Sequence, residues 1–193
     1  MNLHAALFLL GVVITLNAQT KSNYDIILEM MPESVSEVAY ASGNEETGIV
    51  VNLPAGGSIL SNRVLSSAVE INKKIISGTF DDKKNIIYTL ENIEVLYGEL
   101  FHQGFPGDYY CERTIKLGGV NILKSGAGIE SYPFDISRKD TVEYDSIKEL
   151  EQGASFTRGE KPEEPFFRSI IEPVIAVTAA IVTVYLLFDV RSK

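Results

Sequence analysis

The sequence predicts an α+β fold, one long helix packed on an antiparallel meander sheet, followed by a C-terminal transmembrane helix. Three observations point there. Leu60, Val64, Ala68, Ile71 and Ile75 recur at spacings of 4, 4, 3 and 4 residues, which is one face of a helix. From Ile86 to Ile136 the chain is rich in β-formers interrupted by glycines. From Pro173 to Phe188 it carries no charged side chain.

Composition narrows the function classes. The chain has 193 residues, about one ordinary domain. Its 17 Lys+Arg stand against 26 Asp+Glu, a net charge of −9, which argues against a nucleic-acid binder. One cysteine, Cys111, excludes an internal disulfide framework and a cysteine-rich zinc site, and two histidines leave little material for histidine-based catalysis.

The elements follow in chain order. Ala5 to Leu16 is an apolar run interrupted by Gly11 and Thr15. As a helix it spans about 18 Å, short of the ~30 Å hydrocarbon core of a bilayer. With Ala18 behind it, residues 1–18 read as a secretory signal peptide, the alternatives being a core helix or an uncleaved anchor. No cysteine follows the run, so a bacterial lipoprotein anchor is excluded. Segment 24–40 suits a helix turn or a strand, and Pro32 breaks either. Ile49 to Leu53 is a short buried strand ended by Pro54 and Gly56-Gly57. Ser58 then caps the main helix, Ser58 to about Ile76, whose end is also suited to begin a strand.

Strands follow over 86–90 and 93–101. Between Tyr109 and Leu117 the odd residues Tyr109, Cys111, Arg113, Ile115 and Leu117 share one face. Gly118-Gly119 reads as a two-residue turn, with a strand from Val120 to Leu123 after it. Gly126-Ala127-Gly128 turns the chain into Ile129 to Ile136, and Asp145 to Leu150 suits a last short helix. These elements define an extracytoplasmic domain over 19–151. Residues 152–169, rich in Pro, Gly and charge, form a linker, the alternative being that the stretch packs back on the domain. Residues 170–190 reach about 31 Å as a helix, enough to cross a membrane. Arg191 and Lys193 mark residues 191–193 as a short basic cytoplasmic tail. A buried core helix is the alternative for 170–190.

Few residues suggest chemistry. Gly56-Gly57-Ser58 lacks the lysine and spacing of a nucleotide loop and reads as a turn with a cap. His102, with Asp108 as an orienting carboxylate, suits a base, yet no nucleophile accompanies it. Flanked by aromatics and turn residues, the loop holding His102, Phe105 and Asp108 is instead the first candidate for a partner contact. Cys111 on the apolar face reads as a buried thiol, the alternative being an intermolecular disulfide. Asp81, Asp82, Asp108, Asp135 and Asp140 lack calcium-loop spacing and read as solvated turns. No cofactor or metal motif is present. In the apolar helix Ala176, Ala180 and Thr183 form a small-residue face for packing against another helix, as in a homo-oligomer or with a partner.

Phe156-Thr-Arg-Gly-Glu160, then Glu172-Pro173 and the closing Leu-Phe-Asp-Val-Arg-Ser-Lys193, resembles uncharacterised bacterial envelope proteins with a signal peptide and a single C-terminal membrane anchor. The likeness covers about 40 residues and implies a location, with no activity or site residues attached to it. The absence of any Asn-x-Ser/Thr acceptor agrees with a bacterial source. The expected function is a non-enzymatic accessory or scaffold subunit of an envelope complex. It is single-pass, with its N-terminal domain outside the cytoplasm, and binds a protein partner but no nucleic acid. A cell-wall or polysaccharide hydrolase and an extracytoplasmic ligand-binding or sensor module are the alternatives.

Overall fold

The computed structural model describes residues 20–102, 108–163 and 166–191, with the side chains of the last helix described over 174–187; the expected signal peptide, 1–18, lies outside them. Segment 24–40, left open between helix and strand, is helix α1, Asn23–Ala41. Ser22 caps it, its hydroxyl accepting from the Asp25 N–H at 3.1 Å. Pro32 sits inside the helix and does not break it. A proline there leaves the carbonyl four residues earlier without its helical donor. That carbonyl belongs to Leu28, and Arg63 Nε donates to it at 3.3 Å from the neighbouring helix. Ile27, Met30, Met31, Val35 and Val38 form the buried stripe of α1.

The single long helix expected over 58–76 is not what forms. Strand β1, Thr47–Asn52, leads to a 3₁₀ turn, Gly57–Leu60, and then to helix α2, Ser61–Ile71. Gly56, at φ 83°, precedes the turn, and Ser58 makes no side-chain cap. The apolar recurrence continues past the helix end because Ile75 belongs to strand β2, Ile75–Ser77, where it is also buried. Gly78, at φ 119°, turns the chain back, and the return stretch crosses β1 at Gly48. A Cβ there would fall within 3.0 Å of the Gly78 carbonyl oxygen and the Asn85 amide oxygen, so the crossing requires glycine.

The remaining strands are longer than the sequence suggested. β3 runs Lys84–His102, β4 Tyr109–Ser125 and β5 Gly128–Glu143. They make antiparallel hairpins, but β1 pairs in parallel with both β2 and β3, giving the order β2-β1-β3-β4-β5. The sheet is therefore mixed and not a pure meander. Parallel neighbours need a crossover, and α2 supplies it between β1 and β2. Gly118-Gly119 is not a turn. Both glycines lie inside β4, opposite a register shift between Leu90 and Asn92 of β3. A Cβ on Gly119 would fall within 3.0 Å of the Thr89 carbonyl oxygen and the Phe134 ring, and one on Gly118 would strike the Asn92 amide. The pair lets the bulged strand lean onto its neighbour. The turn expected at Gly126-Ala127-Gly128 does form, between paired Ser125 and Gly128.

Alternation sets the faces. Tyr88, Val95, Ile115, Leu117 and Ile136 point to one face and pack in a single core with α1 and α2. After a 3₁₀ turn, Tyr144–Ser146, helix α3, Ile147–Leu150, extends that cover over Cys111 and Val142. The opposite face carries Ile87, Thr89, Val120 and Ile122, half-buried, with no helix over it among the described residues. Residues beyond Glu151 begin against the domain: Phe156 packs on the core and Thr157 is buried.

Helix α4, Phe166–Arg191, forms where the apolar helix was expected. Among the described residues no helix is long and apolar enough to cross a membrane. The transmembrane part of the expected fold is in this respect corrected to a helix of the expected place and conformation.

Candidate functional site

Arg113 sits mid-strand in β4, on the face that packs under α1, and its side chain is fully buried. A buried guanidinium is tolerated only where its donors are met. Nε donates to Asp140 Oδ1 at 2.8 Å, and a second guanidinium nitrogen donates to Oδ2 of the same carboxylate, a bidentate pair. Nη1 donates to the Lys21 carbonyl at 2.9 Å and to Asn23 Oδ1 at 2.7 Å. Asn23, itself buried, spends its amide on the Tyr97 hydroxyl at 2.9 Å and on the Thr157 carbonyl at 2.7 Å. One cluster thus joins β3, β4, β5, the first turn of α1 and the segment that leaves the domain. Burial pushes the Tyr97 phenol up to about 12, against the Asn23 hydrogen bond, so it stays neutral at physiological pH.

A second buried cluster lies beneath the middle of α1. Asn121 Nδ2 donates to the Ser34 carbonyl at 2.7 Å, and the Ser34 and Tyr88 hydroxyls are 2.9 Å apart. Tyr88 stacks on Phe134 with ring centroids 5.5 Å apart. Burial raises its phenol to about 12, with the Ser34 hydrogen bond opposing. These groups hold the helix in register on the sheet and present no reactive atom to solvent.

The residues singled out by sequence distribute as follows. His102 and Asp108 flank the tip of the β3–β4 hairpin and both are exposed; Phe105 lies outside the described residues. The His102 ring lies against Tyr109, its strand partner, with centroids 3.9 Å apart. Beside them Phe101 and Tyr110 pair at 6.3 Å, and Phe101 remains 45% exposed. Cys111 is buried, which raises its thiol pKa and removes it from contact with a second chain. Asp140 is drawn into the arginine cluster. Among the described residues no three His, Cys, Asp or Glu side chains gather as a metal site. Ala176 and Ala180 lie one helical turn apart on α4, and the Thr183 hydroxyl donates back to the Ala179 carbonyl at 2.8 Å.

Among the described residues, a sheet edge and a groove are open to a partner-sized segment. β5 is the edge of the sheet, interrupted for a would-be partner strand by Pro133 and lined by Asp135, Arg138 and Lys139. A groove of about 620 Å³ opens between the start of α1 and residues 152–155, lined by Tyr24, Gly56, Ile59 and Ser155.

No protein-family model matches the chain, and no curated protein matches it. It is similar in structure to the rare lipoprotein B from Shewanella oneidensis, at 11% identity and TM-score 0.33, over 51% of this chain and 70% of that one. It is also similar to a minor lipoprotein from Acinetobacter baumannii, at 11% identity and TM-score 0.32, over 52% of this chain and 67% of that one.

Proposed function

We propose that the chain is a non-enzymatic accessory subunit of a bacterial envelope complex, tethered by α4 and presenting its domain outside the cytoplasm to a protein partner. The observation that carries this reading is the surface of α4. Val174, Ile175, Val177, Ile181, Val182, Val184, Tyr185, Leu186 and Leu187 are all at least half exposed, and at 100° per residue they cover every side of the helix. A helix apolar all round is at rest only inside a protein core or in lipid. The uncharged run from Pro173 to Phe188, with Arg191 and Lys193 behind it, supports lipid and a cytoplasmic C-terminus. The upper half of the β5 edge, from Asp135 to Glu143, is the docking line for a partner's extended segment.

Carbonate washing of membranes tests the tether: the full chain stays in the pellet, and its release into the supernatant overturns the reading. Photo-crosslinking tests the docking line. A crosslinker at Thr141 gives an adduct of one size and one at Ser66 of α2 gives none. Equal labelling from both positions counts against β5.

A further inference from the structure

The open edge of β5 is overhung by α1. Pro133 has no N–H, and a proline fits an edge strand where that position faces away from the ladder. The pairing with β4 continues from there without a register shift, so Asp135, Ser137, Lys139 and Thr141 also turn their N–H and C=O groups outward. The alternate residues Ile136, Arg138 and Asp140 turn their side chains to the α1 side, where Ile136 is buried, Arg138 pairs with Glu33 and Asp140 holds Arg113. A strand added to this edge places every second side chain on that same side. There it meets a groove of about 210 Å³ with Ile26 and Met30 in its wall and Glu29 beside Arg138 and Asp140.

Glu29, Glu33 and Glu37 form an exposed ridge of α1 along the groove, and the helix itself carries no Lys or Arg. Glu37 lies near Tyr132, at the Pro133 end of the edge. Successive ridge carboxylates rise about 6.0 Å along a helix, and alternate residues about 6.7 Å along a strand, so the two spacings nearly match. Lys21 pairs with Glu29 at 2.7 Å and Arg138 pairs with Glu33, all four side chains about half exposed. Pairs so exposed contribute little and exchange readily. No cation among the described residues pairs with Glu37.

We propose that the segment docking on β5 is basic: an extended chain with Lys or Arg at every second position, those side chains turned to α1 and met by Glu29, Glu33 and Glu37. This rests on β5 as the docking line and adds the chemistry of what docks. A long cationic side chain suits the groove at both ends, its aliphatic stem lying on Ile26 and Met30 and its head reaching the carboxylate ridge. Outward N–H and C=O groups supply the backbone pairing, and the ridge selects the charge.

The test titrates the detergent-solubilised full chain into dye-labelled peptides as long as Asp135–Glu143 and follows anisotropy. One peptide alternates Thr and Lys, a second alternates Thr and Glu, and a third is the Thr/Lys peptide N-methylated along its backbone. The Thr/Lys peptide binds, and the other two bind at least about tenfold more weakly. Glu29→Gln, Glu33→Gln and Glu37→Gln together weaken the Thr/Lys peptide about tenfold. Glu70→Gln, Glu91→Gln and Glu94→Gln, which remove as much charge from exposed sites elsewhere, leave it unchanged. If Thr/Lys and Thr/Glu peptides bind alike, or the two triple variants behave alike, the basic occupant is overturned while the edge stands. If the N-methylated peptide binds as well as its parent, the cations adhere without strand pairing and the proposal fails. If the Thr/Lys peptide does not bind, the proposal is overturned, and the Thr141 crosslink decides separately whether the edge itself is a docking line.

Discussion

Arg113 has no exposed side-chain surface, while the carboxylate it grips on Asp140 is about 40% exposed. That asymmetry orders the cost of breaking the pair. Asp140→Ala leaves a buried cation with only the Lys21 carbonyl and Asn23 to meet it, and is expected to destabilise the fold by about 3–5 kcal/mol. Arg113→Met leaves Asp140 free to hydrate and strands only neutral acceptors, so about 1–3 kcal/mol is expected. Urea denaturation of the detergent-solubilised chain measures both, and the order Asp140→Ala worse than Arg113→Met is the outcome that matters. Tyr88 and Tyr97 add a pH signature. Their folded phenols are raised to about 12, while unfolded ones ionise near ~10. Above pH ~10 the unfolded chain has released protons that the folded chain still holds, so stability falls as pH rises from about 10 to 12 and is unaffected by these groups below that window. Ultraviolet titration finds the Tyr88 and Tyr97 phenols among those that ionise late, and Tyr88→Phe removes one of them. Alternation in the sequence placed Arg113 on the buried face between Cys111 and Ile115. It had no means of naming Asp140 as the counter-charge or Asn23 as the relay, because those partners meet only through the pairing of β4 with β5 and the docking of α1.

At the level of elements, glycine read in isolation misleads. Gly118-Gly119 has the composition of a hairpin turn, yet its lack of side chains serves a close approach of β3 to β4. Gly119→Ala is expected to destabilise by about 1–3 kcal/mol through overpacking. Gly126→Ala, in the real turn, meets nothing within 4 Å and has no positive φ, so it stays within about ±0.5 kcal/mol. Thermal melts of the two variants distinguish a buried contact from a turn. Pro32 misleads in the same way. Its disruption of α1 is local, and Arg63 from α2 meets the freed Leu28 carbonyl. Periodicity did reveal the apolar faces of α2 and β4. The parallel pairing of β1 was not legible, since it depends on which strands lie side by side, and no residue pattern within β1 encodes its neighbours.

For the whole molecule, the boundary of the folded unit lies beyond the point where apolar periodicity stops. Phe156 contacts Tyr24 with ring centroids 6.5 Å apart, Thr157 holds Asn23, and the Gly159 N–H donates to Glu151 at 3.0 Å. A chain ended at Glu151 is expected to be less stable by about 2–4 kcal/mol than one ended at Glu163, through lost aromatic burial and the unpaired Asn23 amide. Paired urea midpoints of the two truncations read this directly. The sequence marked residues 152–169 as linker because charge, glycine and proline dominate there. The contacts of Phe156, Thr157 and Gly159 are single residues that carry no periodic signal.

The bond between Asn23 and the Thr157 carbonyl has a mechanical meaning. Any pull on the chain beyond Glu163 reaches the domain first at the bridge between Glu160 and Leu96 and then, at Thr157, the opening turn of α1. Such a pull meets one bridge on β3 and one amide hydrogen bond before it loads the long antiparallel ladders of β3, β4 and β5.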